Sequence, residues 1–202
     1  MKDHKVDWVS LRVRDGVGMD PGPIRDMLRA PDSRSGDEAY WRIEGTAFYS
    51  HELEEASEPL TQILVDAVCD GDGTPLGLVF ATDMLVEITC GYTSPHEEEV
   101  GNAGLADRCR AIVRHRLPCL YRLVDDTTDD IVLSHLIWIV GQVEDDTTAR
   151  RAFLEKVSHR ELGKPSRNAL HWRLVEEYGE DHQKGDQGPE HSKPRRESSI
   201  LR

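Results

Sequence analysis

The sequence predicts an all-α protein built from antiparallel helix pairs, and two features carry that prediction. Apolar residues recur at i, i+3, i+4 and i+7 in one segment after another, the spacing that lines them along one face of a helix. Between those segments stand Ser, Thr, Asp and Pro residues of the kind that open helices, because their oxygens accept free first-turn N–H groups or their ring fits the first turn. With 202 residues, 38% hydrophobic and 31% charged, the chain is long enough for one sizeable core and keeps a strongly polar surface.

Residues 1–22 read as a lead-in. Val6, Trp8, Leu11 and Val13 fit either a short strand or one helical turn, and Gly16, Gly18, Pro21 and Gly22 mark a loop. The helical domain is expected over 23–179. Pro23 opens a short helix to Ala30. Ser35-Gly36-Asp37-Glu38 has the form of a capping box for a helix that carries Tyr40, Ile43 and Ala47 on one face. Leu60, Ile63, Leu64, Ala67 and Val68 make the clearest core stripe, closed by Gly71-Asp72-Gly73. Thr74-Pro75 caps the next helix, whose stripe is Leu78, Ala81, Leu85 and Ile88. Residues 93–101 read as a polar insert. Asn102 opens a long helical pattern from Leu105 to Val124, with Pro118 inside it as a kink or break. The tetrapeptide Asp-Asp-Thr-Thr occurs at 125–128 and again at 145–148, and each copy is expected to open a helix. The first of these, over Ile131–Val140, is apolar nearly all round and so belongs at the centre of the packing. A last helix begins at Pro165 and ends at Gly179. Residues 180–202 hold five acidic and five basic side chains and almost no apolar ones, a composition expected to stay disordered.

The formal net charge is −13, and because the tail is neutral it belongs to residues 1–179. Such a surface repels phosphate backbones and anionic lipid, which disfavours nucleic acid and membrane as partners and favours a basic protein or a cation. The charged N-terminus, the absence of a long apolar run and four cysteines without a CxxC pair point to a cytoplasmic protein with reduced thiols.

Pro118-Cys119-Leu120-Tyr121-Arg122-Leu123-Val124-Asp125-Asp126, followed by Asp130-Ile131-Val132, resembles the HEAT-repeat consensus. In that family a proline kinks the first helix, an aspartate turn follows, and a valine-containing second helix packs back. Ser57-Glu58-Pro59-Leu60 with Ile63-Leu64 resembles a second such first helix, and the order from Val6-Asp7-Trp8 through Ala39-Tyr40-Trp41 to Pro59 is similar to a group of bacterial HEAT-like proteins. The resemblance implies a short α-solenoid that presents a surface to another macromolecule, including immunity-type inhibition of a basic toxin. It also implies an alternative, an enzyme acting on nucleic acid bases, which −13 opposes. Leu133 stands where the family's arginine follows the valine, and Phe48–Leu53 lacks a His-Gln-Gly-Thr segment.

No catalytic motif, metal-ligand spacing or phosphate loop stands out, so neither catalysis nor a cofactor is expected. His96 beside Glu97-Glu98-Glu99 reads as a solvated acidic loop rather than a metal site. His115 and Cys119 share a helical spacing, but Pro118 interrupts the face and a structural cysteine is preferred. His135 reads as a hydrogen-bonded core histidine. The partner-binding candidates are Asp125, Asp126, Asp129, Asp130, Asp145 and Asp146, expected on one edge of the stack together with the Glu97–Glu99 insert. Trp172 joins them because it lies off its helix's apolar stripe.

Overall fold

The computed structural model describes residues 5–179. Ten helices lie among them, with five strands of two residues each. The tail expected to be disordered, 180–202, lies outside the described residues.

The lead-in resolves as a hairpin in which β1 (Arg12–Val13) pairs antiparallel with β2 (Gly16–Val17). α1 (Gly22–Leu28) carries Pro23 in its first turn, as the sequence predicts. α2 (Ser33–Ala47) starts two residues before the expected capping box. The cap is Asp32, whose carboxylate accepts the Ser35 N–H at 2.9 Å, while Glu38 turns outward to Arg34. A carboxylate one turn earlier is the stronger acceptor, so it displaces the serine.

β3 (Phe48–Tyr49) and β4 (Glu52–Leu53) form a second hairpin, and β5 (Tyr92–Thr93) adds to β4 in parallel. The two-residue turn between β3 and β4 puts Ser50 at φ 49° and His51 at φ 70°. A tight hairpin demands positive φ at both turn positions, and neither residue is glycine, so the turn is strained.

α3 (Ser57–Asp70) and α4 (Pro75–Cys90) match the predicted helices. Thr74 caps α4 by accepting the Gly77 N–H at 3.0 Å, and Gly71 ends α3 in the left-handed region. The predicted polar insert is instead β5 followed by α5 (Pro95–Glu99). Glu97 is 0% exposed. It takes a two-pronged ion pair from Arg12 at 2.9 and 2.8 Å, a bond from the Glu55 N–H at 3.3 Å and one from Asn102 at 2.5 Å. Burial pushes its carboxyl up, but the Arg12 and Asn102 bonds outweigh that and hold it below the ordinary range. It is therefore a strut between the N-terminal hairpin and α5, and it leaves the expected acidic rim; the partner that decides this stands 85 residues away in the chain.

The long helix expected from residue 102 is two helices, α6 (Leu105–Arg114) and α7 (Leu117–Asp126). Pro118 has no N–H to give Arg114, and its ring crowds that carbonyl, so the helix breaks at His115–Arg116. α8 (Asp130–Val143), α9 (Thr147–Ser158) and α10 (Lys164–Tyr178) complete the chain. The twin tetrapeptides differ in use. Asp145-Asp146-Thr147-Thr148 opens α9 through Asp146, whereas Asp125 and Asp126 end α7 and the cap of α8 is Asp129.

α8 is central, packed between α4 on one side and α10 on the other, with α7 and α9 also against it. α3 packs on both α4 and α6, and α1 and α2 cover α4. Phe80 meets α2 across Gly36, where any Cβ would fall 2.1 Å from the Phe80 ring, so glycine alone lets α2 come this close. Thr82 meets His135 of α8 at 3.0 Å. Two residues are about 200° apart around a helix, so α4 is gripped on opposite sides. Between those contacts, Asp83 and Glu87 look out through an open strip of its surface. No helix of the described residues is long and apolar enough to cross a membrane.

Candidate functional site

The residues singled out as an acidic edge are mostly engaged within the chain. Asp129 caps α8 by accepting the Ile131 and Val132 N–H groups at 2.9 and 3.0 Å. Asp146 does the same for α9 with Thr148 and Ala149 at 2.8 and 3.2 Å. Asp130 accepts the Gly163 N–H at 2.8 Å and the Ser166 hydroxyl, tying the start of α10 to α8. Asp125 pairs with Lys156 at 2.6 Å and Asp145 with Arg114 at 2.8 Å. Asp126 is exposed, and Trp172 is 56% exposed with its indole edge-on to His171 at 5.6 Å. The structure thus spreads the aspartates over the end of α7 and the starts of α8 and α9, with Trp172 in the interior of α10.

Other candidates resolve simply. His115 turns back on its own helix, its Nδ1 2.7 Å from the Ala111 carbonyl, away from Cys119. No group of three or more His, Cys, Asp or Glu is placed to hold a metal among the described residues. A cavity of about 570 Å³ between α3 and α6 is lined by charges that pair with one another: Arg108 with Glu58 at 2.9 Å, Arg116 with Asp66 at 2.6 Å.

A smaller cavity of about 280 Å³ between α2 and α4 differs in kind. Asp37, Tyr40, Trp41 and Glu44 line it from α2, and Phe80, Asp83 and Glu87 from α4. Each set follows helical spacing, which is why each projects from one face. The three rings meet at angles, Tyr40 to Trp41 at 5.9 Å and Tyr40 to Phe80 at 6.1 Å. Tyr40 and Phe80 anchor the wall against Gly36, and Trp41 stands 64% exposed at the rim. Four carboxylates share this space, and no lysine or arginine pairs with any of them among the described residues.

Among the described residues, two histidines from outside the cavity approach these carboxylates. His51, thrown outward by the strained hairpin, holds its Nδ1 3.1 Å from the Glu87 carboxylate. His135 on α8 holds its Nε2 3.3 Å from Asp83. Burial, then the charges of Asp83 and its neighbours, pushes the Glu44 and Glu87 carboxyls above their ordinary range, with His51 opposing. Burial lowers His135, against the pull of Asp83 and Asp129. The Tyr40 phenol is pushed up by burial and by Asp83, which accepts its hydrogen bond. Ionised carboxylates here are thus held in partly desolvated, mutually repelling positions, an arrangement that a bound cation relieves.

Thr82, His135 and Asp83 form a row of hydroxyl, imidazole and carboxylate that invites comparison with a nucleophile, base and orienting acid. Its geometry opposes that use. Thr82 is 0% exposed and donates its proton to the Val79 carbonyl at 2.9 Å. No substrate reaches the buried hydroxyl, and the row positions Asp83.

From the sequence, Tyr40 belongs to the core face of its helix, Trp41 reads as a core or stack-end residue and Asp37 as part of a capping box, whereas the structure leaves Trp41 64% exposed and lines the cavity with all three and Glu44. The signal available was a second stripe on the same helix, at 37, 40, 41 and 44, where aromatic and acidic residues share one face. A comparison with family models, with curated proteins and with solved structures finds no match for this chain.

Proposed function

We propose that this chain is a non-catalytic interaction module of HEAT-like design that binds a basic protein, and that the α2/α4 cavity receives one of the partner's cationic side chains. The observation that carries this reading is the cavity itself, with four carboxylates, three aromatic rings and, among the described residues, no lysine or arginine in its lining. An aromatic face attracts an ammonium or guanidinium group by about 0.5–2 kcal/mol, more when water is excluded, and the carboxylates supply the opposite charge. At about 280 Å³ the cavity falls below the roughly 300–1,000 Å³ usual for a whole drug-sized ligand, so it suits a single side chain. The HEAT-like part of the proposal rests on the order of packing. α4, α8 and α10 lie side by side, and each is joined by a short turn to a helix of the facing row. Inhibition of a basic protein, as an immunity-type partner, is one form this function takes.

Isothermal titration of the full chain with a lysine- and arginine-rich peptide tests the reading. Saturable binding that weakens at least about tenfold, or 1.4 kcal/mol, in an Asp83→Asn, Glu87→Gln variant supports it. Equal binding by that variant, with loss instead in an Asp125→Asn, Asp126→Asn, Asp145→Asn variant, moves the interface to the helix-end acids. No binding to any basic peptide refutes the basic-partner reading.

A further inference from the structure

We propose that Cys69 and Cys119 form a thiol pair that closes reversibly to a disulfide when the protein meets a small disulfide of the glutathione type. The pair is created by the fold. Cys69 is the next-to-last residue of α3, and Cys119 is the third residue of α7, 50 positions later. The break before Pro118 lets α7 start against the end of α3. There the Cys119 Sγ lies 3.8 Å from the Cys69 carbonyl oxygen, which brings the two cysteines against each other. Both are partly exposed, so a small oxidant reaches them. Cys109 is buried, and Cys90 lies apart on α4 beside Arg173.

The surroundings divide the roles. Burial, and then the hydrogen bond and charge of Cys119, push the Cys69 thiol up to about 12, with Arg116 opposing. Cys69 therefore stays protonated and Cys119 makes the first attack. Its thiolate displaces one half of the small disulfide, giving a mixed disulfide and one small thiol, which takes up the proton Cys119 released. Cys69 then gives its proton to solvent and attacks the Cys119 sulfur, expelling the second small thiol. Two protein thiols are oxidised by two electrons and one small disulfide is reduced to two thiols. The bridge ties α3 to α7 across the intervening chain and constrains the unfolded state. It leaves the α2/α4 cavity untouched, so it is independent of the function proposed above.

The experiment uses the full-length chain carrying Cys90→Ser, which removes the exposed thiol. The native protein is treated with oxidised glutathione and analysed by intact mass and by peptide mapping. The expected product has lost two hydrogens, links the Cys69 and Cys119 peptides, reverts with dithiothreitol, and melts several degrees above the reduced form. Adding Cys69→Ser replaces the link with a lasting glutathione adduct on Cys119 and removes the gain in melting temperature. A stable adduct on Cys119 with Cys69 present, no reaction at either thiol, or a link that forms only in denaturant overturns the proposal.

Discussion

Glu97 and Glu87 are both glutamates near the α2–α5 region, and their surroundings give them opposite tasks. Glu97 is buried under a two-pronged arginine pair and two further hydrogen bonds. Removing one partner of such a pair leaves the other charge uncompensated, which costs about 3–5 kcal/mol when both are fully buried. Arg12 is 31% exposed, so Glu97→Gln is expected to cost roughly 2–3 kcal/mol in chemical denaturation. Because the Glu97 carboxyl is lowered by folding, its contribution is present above the ordinary value of 4.5 and is lost as pH falls through the folded value. Glu87 is raised by folding, so the sign reverses. Between 4.5 and its folded value the native state holds more protons than the unfolded one, and stability falls as pH rises through that window. Glu87→Gln is therefore expected to raise the melting temperature at neutral pH, to lose that gain below about pH 4.5, and to weaken binding of a basic peptide. A variant less stable at pH 7 would show that Glu87 supports the fold rather than a ligand.

At the scale of the helix, the test falls on the aspartate turns. Asp129 and Asp126 lie three residues apart in one connection, and the structure gives them different work. Asp129→Ala is expected to cost about 1 kcal/mol because two first-turn N–H groups of α8 lose their acceptor. Asp126→Ala, at an exposed helix end, is expected to change stability by less than about 0.5 kcal/mol. Urea denaturation of the two variants side by side separates them, and equal losses would mean that the turn acts as one acidic unit. The hairpin offers a second element-level outcome. Ser50→Gly removes a non-glycine residue from φ 49°, and relief of about 1–2 kcal/mol of steric cost offsets the added freedom of the unfolded chain. A small rise in melting temperature is expected, and a fall would place the strain elsewhere.

For the whole molecule, charge is unevenly answered. The α3/α6 cavity neutralises itself through Arg108 and Arg116, whereas the α2/α4 cavity brings together four acids with His51 and His135 against two of them and no lysine or arginine paired with any among the described residues. Association with a basic partner is therefore expected to be fast at low salt and to slow steeply as the Debye length shortens from about 30 Å at 0.01 M to about 8 Å at 0.15 M. Stopped-flow measurement of the association rate across that range checks it. A flat salt response would leave the aromatic rings as the only attraction.

The sequence by itself determined the helices and most of their starts and stops. Stripes, proline positions and caps are local, and each is decided within a turn or two of chain, which is why α3, α4, α8 and α10 fall where the periodicity puts them. It also determined that −13 had to be displayed somewhere. The tertiary structure alone decided which acids are displayed. Glu97 looked solvated until Arg12 reached it, Asp130 looked free until Ser166 did, and Glu44 and Glu87 became neighbours only when Gly36 let α2 settle on Phe80. Those outcomes depend on partners tens of residues away, and the free energy of a carboxylate turns on the few ångströms around it, which no local pattern encodes.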